Sequence, residues 1–168
     1  MIYVDMDGVI ADFFGGLERH HGVRHWKLLK EESIRQLKGT NFFYTLEPYE
    51  TSEQLIQHVR MLTGGIDWGI NTSPLRGDRD NSAYWKRRWL EEHGWFPDAD
   101  RFIVTGQKEN YATSSLDGKP NILIDDKPSN IKAFESKGGI GIRYQADEDD
   151  LEEYLFVELE KALKSINR

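Results

Sequence analysis

The chain has 168 residues, no cysteine and a formal net charge of -7 at pH 7. That length suits one domain with its own core, and the missing thiols exclude disulfides and thiolate metal sites. The acidic balance argues against a broad nucleic-acid-binding face, while five Trp, seven Tyr and eight Phe are more than a disordered chain carries.

Ile2-Tyr3-Val4 reads as a buried strand that runs directly into Asp5-Met6-Asp7-Gly8. In an open α/β fold, acids at such a point lie at the carboxyl edge where ligands bind. Asp5 and Asp7 are two apart, so an extended backbone points them the same way. Adjacent carboxylates repel unless a cation or a shared proton relieves them, and the pair suits oxygen coordination of Mg²⁺.

A helix is expected to start soon after Ala11 and to run to about His21. Between Gly22 and Lys38, the apolar residues Leu28, Leu29, Ile34 and Leu37 suit short amphipathic helices among charged side chains. Gly39-Thr40-Asn41 ends this stretch, and Phe42 to Pro48 returns irregularly. Thr51 or Ser52 is the expected N-cap of the next helix, with Leu55, Ile56, Val59 and Leu62 inward and Gly64-Gly65 as its stop.

Ile66, Trp68 and Ile70 alternate as a second strand that stops at Thr72-Ser73-Pro74. Asn81 to His93 is the next helix, with Tyr84, Trp85, Trp89 and Leu90 as its inner face. Phe102-Ile103-Val104 forms a third strand, followed by a polar loop from Thr105 to Ser115. Ile122-Leu123-Ile124 is a fourth strand entering Asp125-Asp126, and Pro128 opens a helix that Gly138-Gly139 closes. Ile140-Gly141-Ile142 is a fifth strand. The acids Asp147 to Asp150 then begin a last helix reaching about Ile166, where they favour its positive end.

The alternation of strand and helix predicts a doubly wound, Rossmann-like parallel sheet with right-handed crossovers. Only residues 15–46 break it, as an insertion after the acidic first strand. The expected division is therefore a core of residues 1–14 and 47–168 with a small helical insertion of residues 15–46. No apolar run approaches the ~20 residues of a membrane span, and no basic leader precedes Ile2. A soluble, cytoplasmic protein is expected.

Four polar clusters each follow a predicted strand: Asp5/Asp7, Thr72/Ser73, the loop holding Lys108, and Asp125/Asp126. In a parallel sheet all four lie along one edge. Together they supply a nucleophile, a metal site, a hydroxyl donor and a cation, the components of phosphoryl transfer.

These four motifs, in this order, resemble those of the haloacid dehalogenase-like phosphohydrolases. Val4 to Phe13, Asn41-Phe42-Phe43 with Leu46-Glu47-Pro48, Thr72-Ser73-Pro74-Leu75 and Leu123 to Lys127 look more narrowly like the 5'(3')-deoxyribonucleotidases. The resemblance implies Asp5 as a nucleophile that forms an aspartyl-phosphate and binds Mg²⁺. It implies Asp7 as the acid and then base, with its backbone carbonyl on the metal. It further implies Thr72 as a phosphoryl hydrogen-bond donor and Lys108 as the neutralising cation, with Lys119 and Lys127 as rivals for that role. Of Asp125 and Asp126, one completes the metal shell, with Asp126 favoured.

The same likeness makes residues 15–46 a helical cap. Phe13, Trp26 and Phe43 are candidates to line the substrate pocket, although aromatic residues in so small a cap also serve as its core. Arg76 and Arg79 would add positive potential, Ser73 would shape the turn, and His20, His21 and His25 read as surface. The expected substrate is a small phosphate monoester, foremost a (deoxy)nucleoside monophosphate, acted on by a monomer or homodimer. A phosphatase of 3'-phosphate ends or of a sugar phosphate is the alternative, and a non-catalytic phosphate-binding protein is a third reading.

Overall fold

The computed structural model describes residues 1–167. Five strands, β1 (Ile2–Val4), β2 (Trp68–Thr72), β3 (Phe102–Val104), β4 (Ile122–Asp125) and β5 (Ile140–Arg143), form one sheet in the order β3-β2-β1-β4-β5. Every pairing is parallel. The three central strands, β2, β1 and β4, are buried along their whole length, as sheets covered by helices require, and the edge strands β3 and β5 are only partly buried.

The chain steps outward from β1 through β2 to β3, then crosses to β4 on the other side of β1. That reversal creates a crevice at the carboxyl ends of the central strands, the position where open α/β sheets bind ligands. Among the described residues, five α-helices lie between strands, α1 (Phe13–His21), α2 (Glu31–Arg35), α3 (Ser52–Thr63), α4 (Arg79–His93) and α5 (Pro128–Ser136), and a sixth, α6 (Val157–Ile166), follows β5. Single 3₁₀ turns precede α2 and α3, and another, at Lys108–Tyr111, interrupts the loop read from sequence as plain. A π-helical stretch, Leu151–Phe156, leads into α6 and is capped where Asp150 accepts the Glu153 amide.

The segment between β1 and α3 shares the main core. Leu17, Leu37, Phe42, Phe43 and Leu46 are buried in one cluster with Val4, Ile56, Ile70 and Trp89. Asp12 caps α1 by accepting the Gly15 amide at 2.9 Å. Trp89 on α4 donates its indole N–H to the Leu46 carbonyl at 2.8 Å, which ties the end of this segment to the helix behind β2.

Three expectations from sequence need correction. β2 starts at Trp68, because Ile66 still donates its amide back to Thr63 and its side chain is exposed. Thr51 stands at the N-cap position of α3 as expected, but its side chain makes no capping bond, and Ser52 donates its hydroxyl to the Ile10 carbonyl at 2.7 Å. On α4, Tyr84 points outward and Trp85 is only half-buried. The buried stripe is Ser82, Lys86, Trp89 and Leu90, a helical spacing that contains a lysine.

Candidate active site

Asp5 is the residue after β1, and Asp125 ends β4. Because Val4 pairs with Ile124, the two carboxylates emerge side by side, and both are buried. Asp5 Oδ1 accepts the Met6 amide at 2.8 Å and lies 2.9 Å from Lys108 Nζ. Lys108 reaches in from the 3₁₀ turn after β3, itself only 2% exposed, and donates to Asp125 Oδ2 at 2.6 Å. Asp125 also accepts the Asn130 side-chain amide on Oδ2 and the Lys127 backbone amide on Oδ1. Lys119 and Lys127, the other two lysines considered from sequence, have exposed side chains.

Burial pushes the Asp5 carboxyl well above the ordinary carboxylate range; the Asp125 charge adds to this, and Lys108 opposes it. Asp126 is pushed up to about 7, first by burial and then by the charges of Asp125 and Asp7. Burial works against the Lys108 ammonium, but Asp5 and Asp125 outweigh it and raise that group to about 12. The cluster holds more negative charge than one ammonium neutralises.

Asp5, Asp125 and Asp126 each present a carboxylate oxygen within 4.8 Å of one another. Hard oxygen donors at this spacing fit a divalent cation such as Mg²⁺, whose charge would relieve the repulsion that raises Asp5 and Asp126. Asp125 accepts two hydrogen bonds on Oδ2 and one on Oδ1, so its Oδ1 keeps one lone pair free. Gly8 makes room for Asp126: a Cβ there would collide with Asp126 Oδ2, and its φ of +80° suits glycine.

Asp7 and Thr72 converge on a residue that the sequence reading passed over. Lys86 of α4, with a side chain 0% exposed, places Nζ 3.0 Å from Asp7 Oδ2, 2.6 Å from Thr72 Oγ1 and 2.7 Å from the Ser73 carbonyl. Its ammonium also sits 4.4 Å from the centre of the Phe43 ring. Among the described residues, Asp7 Oδ1 is buried without a hydrogen-bond partner. A lysine in step with Ser82, Trp89 and Leu90 on the inner stripe of α4 was the available signal.

The remaining candidates separate by exposure. Phe43 is 2% exposed and stacks on Phe13, with ring centres 6.1 Å apart; Phe13 is half-buried beside it. Trp26 is half-buried against Phe14 at 4.8 Å. Arg76 is exposed, and Arg79 donates to the Val104 carbonyl at 3.2 Å. His20 and His25 are exposed, and His21 is half-buried.

Two cavities are prominent. One of about 740 Å³ lies at the amino ends of the strands, among Ile2, Tyr111 and Ile122, away from the acid cluster. The other, of about 660 Å³, is lined by Asp12, Phe14, Trp26, Tyr49, Arg143 and Gln145, among others. None of Asp5, Asp7, Asp125 and Asp126 lines it. Among the described residues, no helix is long and apolar enough to cross a membrane.

No family model matches the chain. Over 150 residues it is 29% identical to the mitochondrial 5'(3')-deoxyribonucleotidases of Mus musculus and Homo sapiens; the match covers 76% of this chain and 64% and 62% of those proteins. The chain thus spans less than two thirds of the length of these relatives. Among solved structures, it is similar to a haloacid dehalogenase-like family hydrolase from Streptococcus pneumoniae, with a TM-score of 0.50 and 15% identity, covering 84% of this chain and 82% of that one. The second likeness is one of fold, a parallel α/β sheet of Rossmann-like type. The first agrees with the resemblance carried by the sequence motifs.

Proposed function

We propose that this chain is a Mg²⁺-dependent phosphomonoesterase that hydrolyses (deoxy)nucleoside monophosphates to nucleoside and phosphate. The observation that carries this reading is the meeting of Asp5, Lys108, Asp125 and Asp126 at one sheet edge, beside Asp7 and Thr72 joined through one ammonium. Asp5, Asp126 and the Asp7 backbone carbonyl would hold the cation, with Asp125 supporting them. When bound, the cation supplies charge neutralisation at the phosphoryl oxygens.

Asp5 has one oxygen restrained: Oδ1 is held by Met6 and Lys108, which leaves Oδ2 to attack phosphorus. As the Asp5 Oδ2–P bond forms, the ester P–O bond breaks. Its electron pair goes to the leaving oxygen, which takes a proton from the Asp7 carboxyl. Asp7, now a carboxylate, then removes a proton from water as that water attacks the aspartyl-phosphate, releasing phosphate and restoring Asp5. Lys108, held between Asp5 and Asp125, supports the ionised nucleophile and attracts the phosphate.

Residues 15–46 act in this reading as a small cap over the crevice. The substrate class is supported by the likeness to the two deoxyribonucleotidases. It is also supported by Trp26 and Phe14 on the wall of the 660 Å³ cavity, an aromatic surface on which a base can stack. Phe43 is already occupied by Phe13 and Lys86 and serves as core.

The test is phosphate release, with and without Mg²⁺, from nucleoside monophosphates, sugar phosphates and a 3'-phosphorylated oligonucleotide. Turnover is expected on the mononucleotides, with dependence on Mg²⁺ and loss in Asp5→Asn. Undiminished turnover by that variant would contradict the assigned nucleophile, and preference for a sugar phosphate would contradict the substrate class.

A further inference from the structure

The geometry points to Lys86 as a positioning residue that fixes the orientation of the Asp7 carboxyl group and sets which way the Thr72 hydroxyl donates. This inference rests on the phosphomonoesterase reading and adds to it a part played from α4, a helix that supplies none of the reacting groups.

An ammonium has three N–H donors and no acceptor, and Lys86 spends all of them on Asp7 Oδ2, Thr72 Oγ1 and the Ser73 carbonyl. None remains for a ligand. Toward Lys86 the Thr72 oxygen can only accept, so the hydroxyl hydrogen must point elsewhere. Among the described residues no acceptor takes it, which leaves it to be donated to a phosphoryl oxygen.

The same restraint acts on Asp7. Its Oδ2 is held at 3.0 Å by Lys86, and among the described residues Oδ1 has no partner, so this one bond fixes the orientation of the carboxyl group. As the ester P–O bond breaks, its electron pair passes to the leaving oxygen, the Asp7 carboxyl gives up its proton to that oxygen, and the carboxylate left behind faces the fixed positive charge of Lys86.

Stability alone does not account for a lysine here. The position lies on an apolar stripe with Trp89 and Leu90, against the Phe43 ring. Apolar replacements of buried ion pairs are often neutral or stabilising when both partners are exchanged.

The test compares kcat/KM for a nucleoside 5'-monophosphate, whose alkoxide must be protonated as it leaves, with that for p-nitrophenyl phosphate, whose phenoxide leaves without help. In Lys86→Met the first is expected to fall by about 100-fold, within the range of general-acid contributions, and the second by less than about 10-fold. Lys86→Arg keeps the charge but not the three tetrahedral bonds; it is expected to show the same divergence to a smaller extent, and it serves if the Met variant does not fold.

Inorganic phosphate binding in Mg²⁺ buffer, followed by calorimetry, provides a readout independent of turnover. It is expected to weaken by about 10-fold in Lys86→Met, the equivalent of one oriented hydrogen bond. Equal losses on both esters, or phosphate affinity equal to wild type, would overturn the positioning role. If the wild-type protein hydrolyses no ester, the phosphomonoesterase reading fails by itself, and phosphate affinity alone then decides the part played by Lys86. A wild-type protein that neither hydrolyses esters nor binds phosphate overturns both.

Discussion

Lys108 and Lys86 are both buried ammonium groups, and what surrounds each makes their removal unequal. Lys108 lies between two buried carboxylates, Asp5 at 2.9 Å and Asp125 at 2.6 Å. Lys86 faces one carboxylate and two neutral oxygens. Lys108→Met therefore leaves two like charges out of water without their shared partner, and metal-free protein is expected to lose about 3–5 kcal/mol of unfolding free energy. Urea titration checks this, and added Mg²⁺ is expected to restore part of the loss. Lys108 was legible as one of several lysines after predicted strands, and only its burial separates it from the exposed Lys119 and Lys127. Lys86 was not picked out, because a helix rich in Lys and Arg reads as solvated until its buried stripe is known.

At the scale of elements, the segment between β1 and α3 is held by a few specific bonds as well as by its apolar side chains. Ser52 at the start of α3 donates its buried hydroxyl to the Ile10 carbonyl at 2.7 Å, fastening the loop after Asp7 to the helix that carries the chain to β2. Ser52→Ala removes one of two donors to that carbonyl, which keeps the Tyr49 amide at 3.3 Å, and is expected to cost about 0.5–1.5 kcal/mol, read as a lowered denaturation midpoint with an unchanged slope. From sequence, Ser52 looked like a cap because serine before an apolar helical pattern commonly is one. The side chain went to a tertiary acceptor 42 positions away, which no local pattern encodes. β2 begins late for a related reason: its first residue is set by pairing with Ile2, whereas the alternation of Ile66, Trp68 and Ile70 continues one step beyond the sheet.

For the whole molecule, the acid cluster makes stability depend on pH and on divalent metal. Asp126 ionises near 7 in the fold against an ordinary value of 3.8, and burial also raises Asp5. A folded carboxyl raised in this way binds its proton more tightly than the unfolded chain does. Its stabilisation is fully present below the unfolded value and is lost as pH rises through the folded one. Metal-free protein is therefore expected to melt at a higher temperature near pH 5 than at pH 8. Mg²⁺, which favours the ionised carboxylates, is expected to raise the melting temperature more at pH 8 than at pH 5. Melting curves at the two pH values, with Mg²⁺ and with a chelator, check both statements; a metal-free protein that is more stable at pH 8 contradicts them.

The order of strands and helices, the parallel sheet and the placing of four polar clusters after four strands follow from the chain itself, because apolar runs, glycine stops and acids at strand ends are local patterns. Tertiary structure alone decided that Lys108 stands between Asp5 and Asp125, that Phe43 is core while Trp26 faces a cavity, and that Lys86 reaches Asp7 from 79 residues away. Those outcomes depend on which side chains the packing of α4 and of the loop after β3 shuts away from water. A charge becomes committed to a particular partner only when it is buried, and burial is a property of the assembled fold.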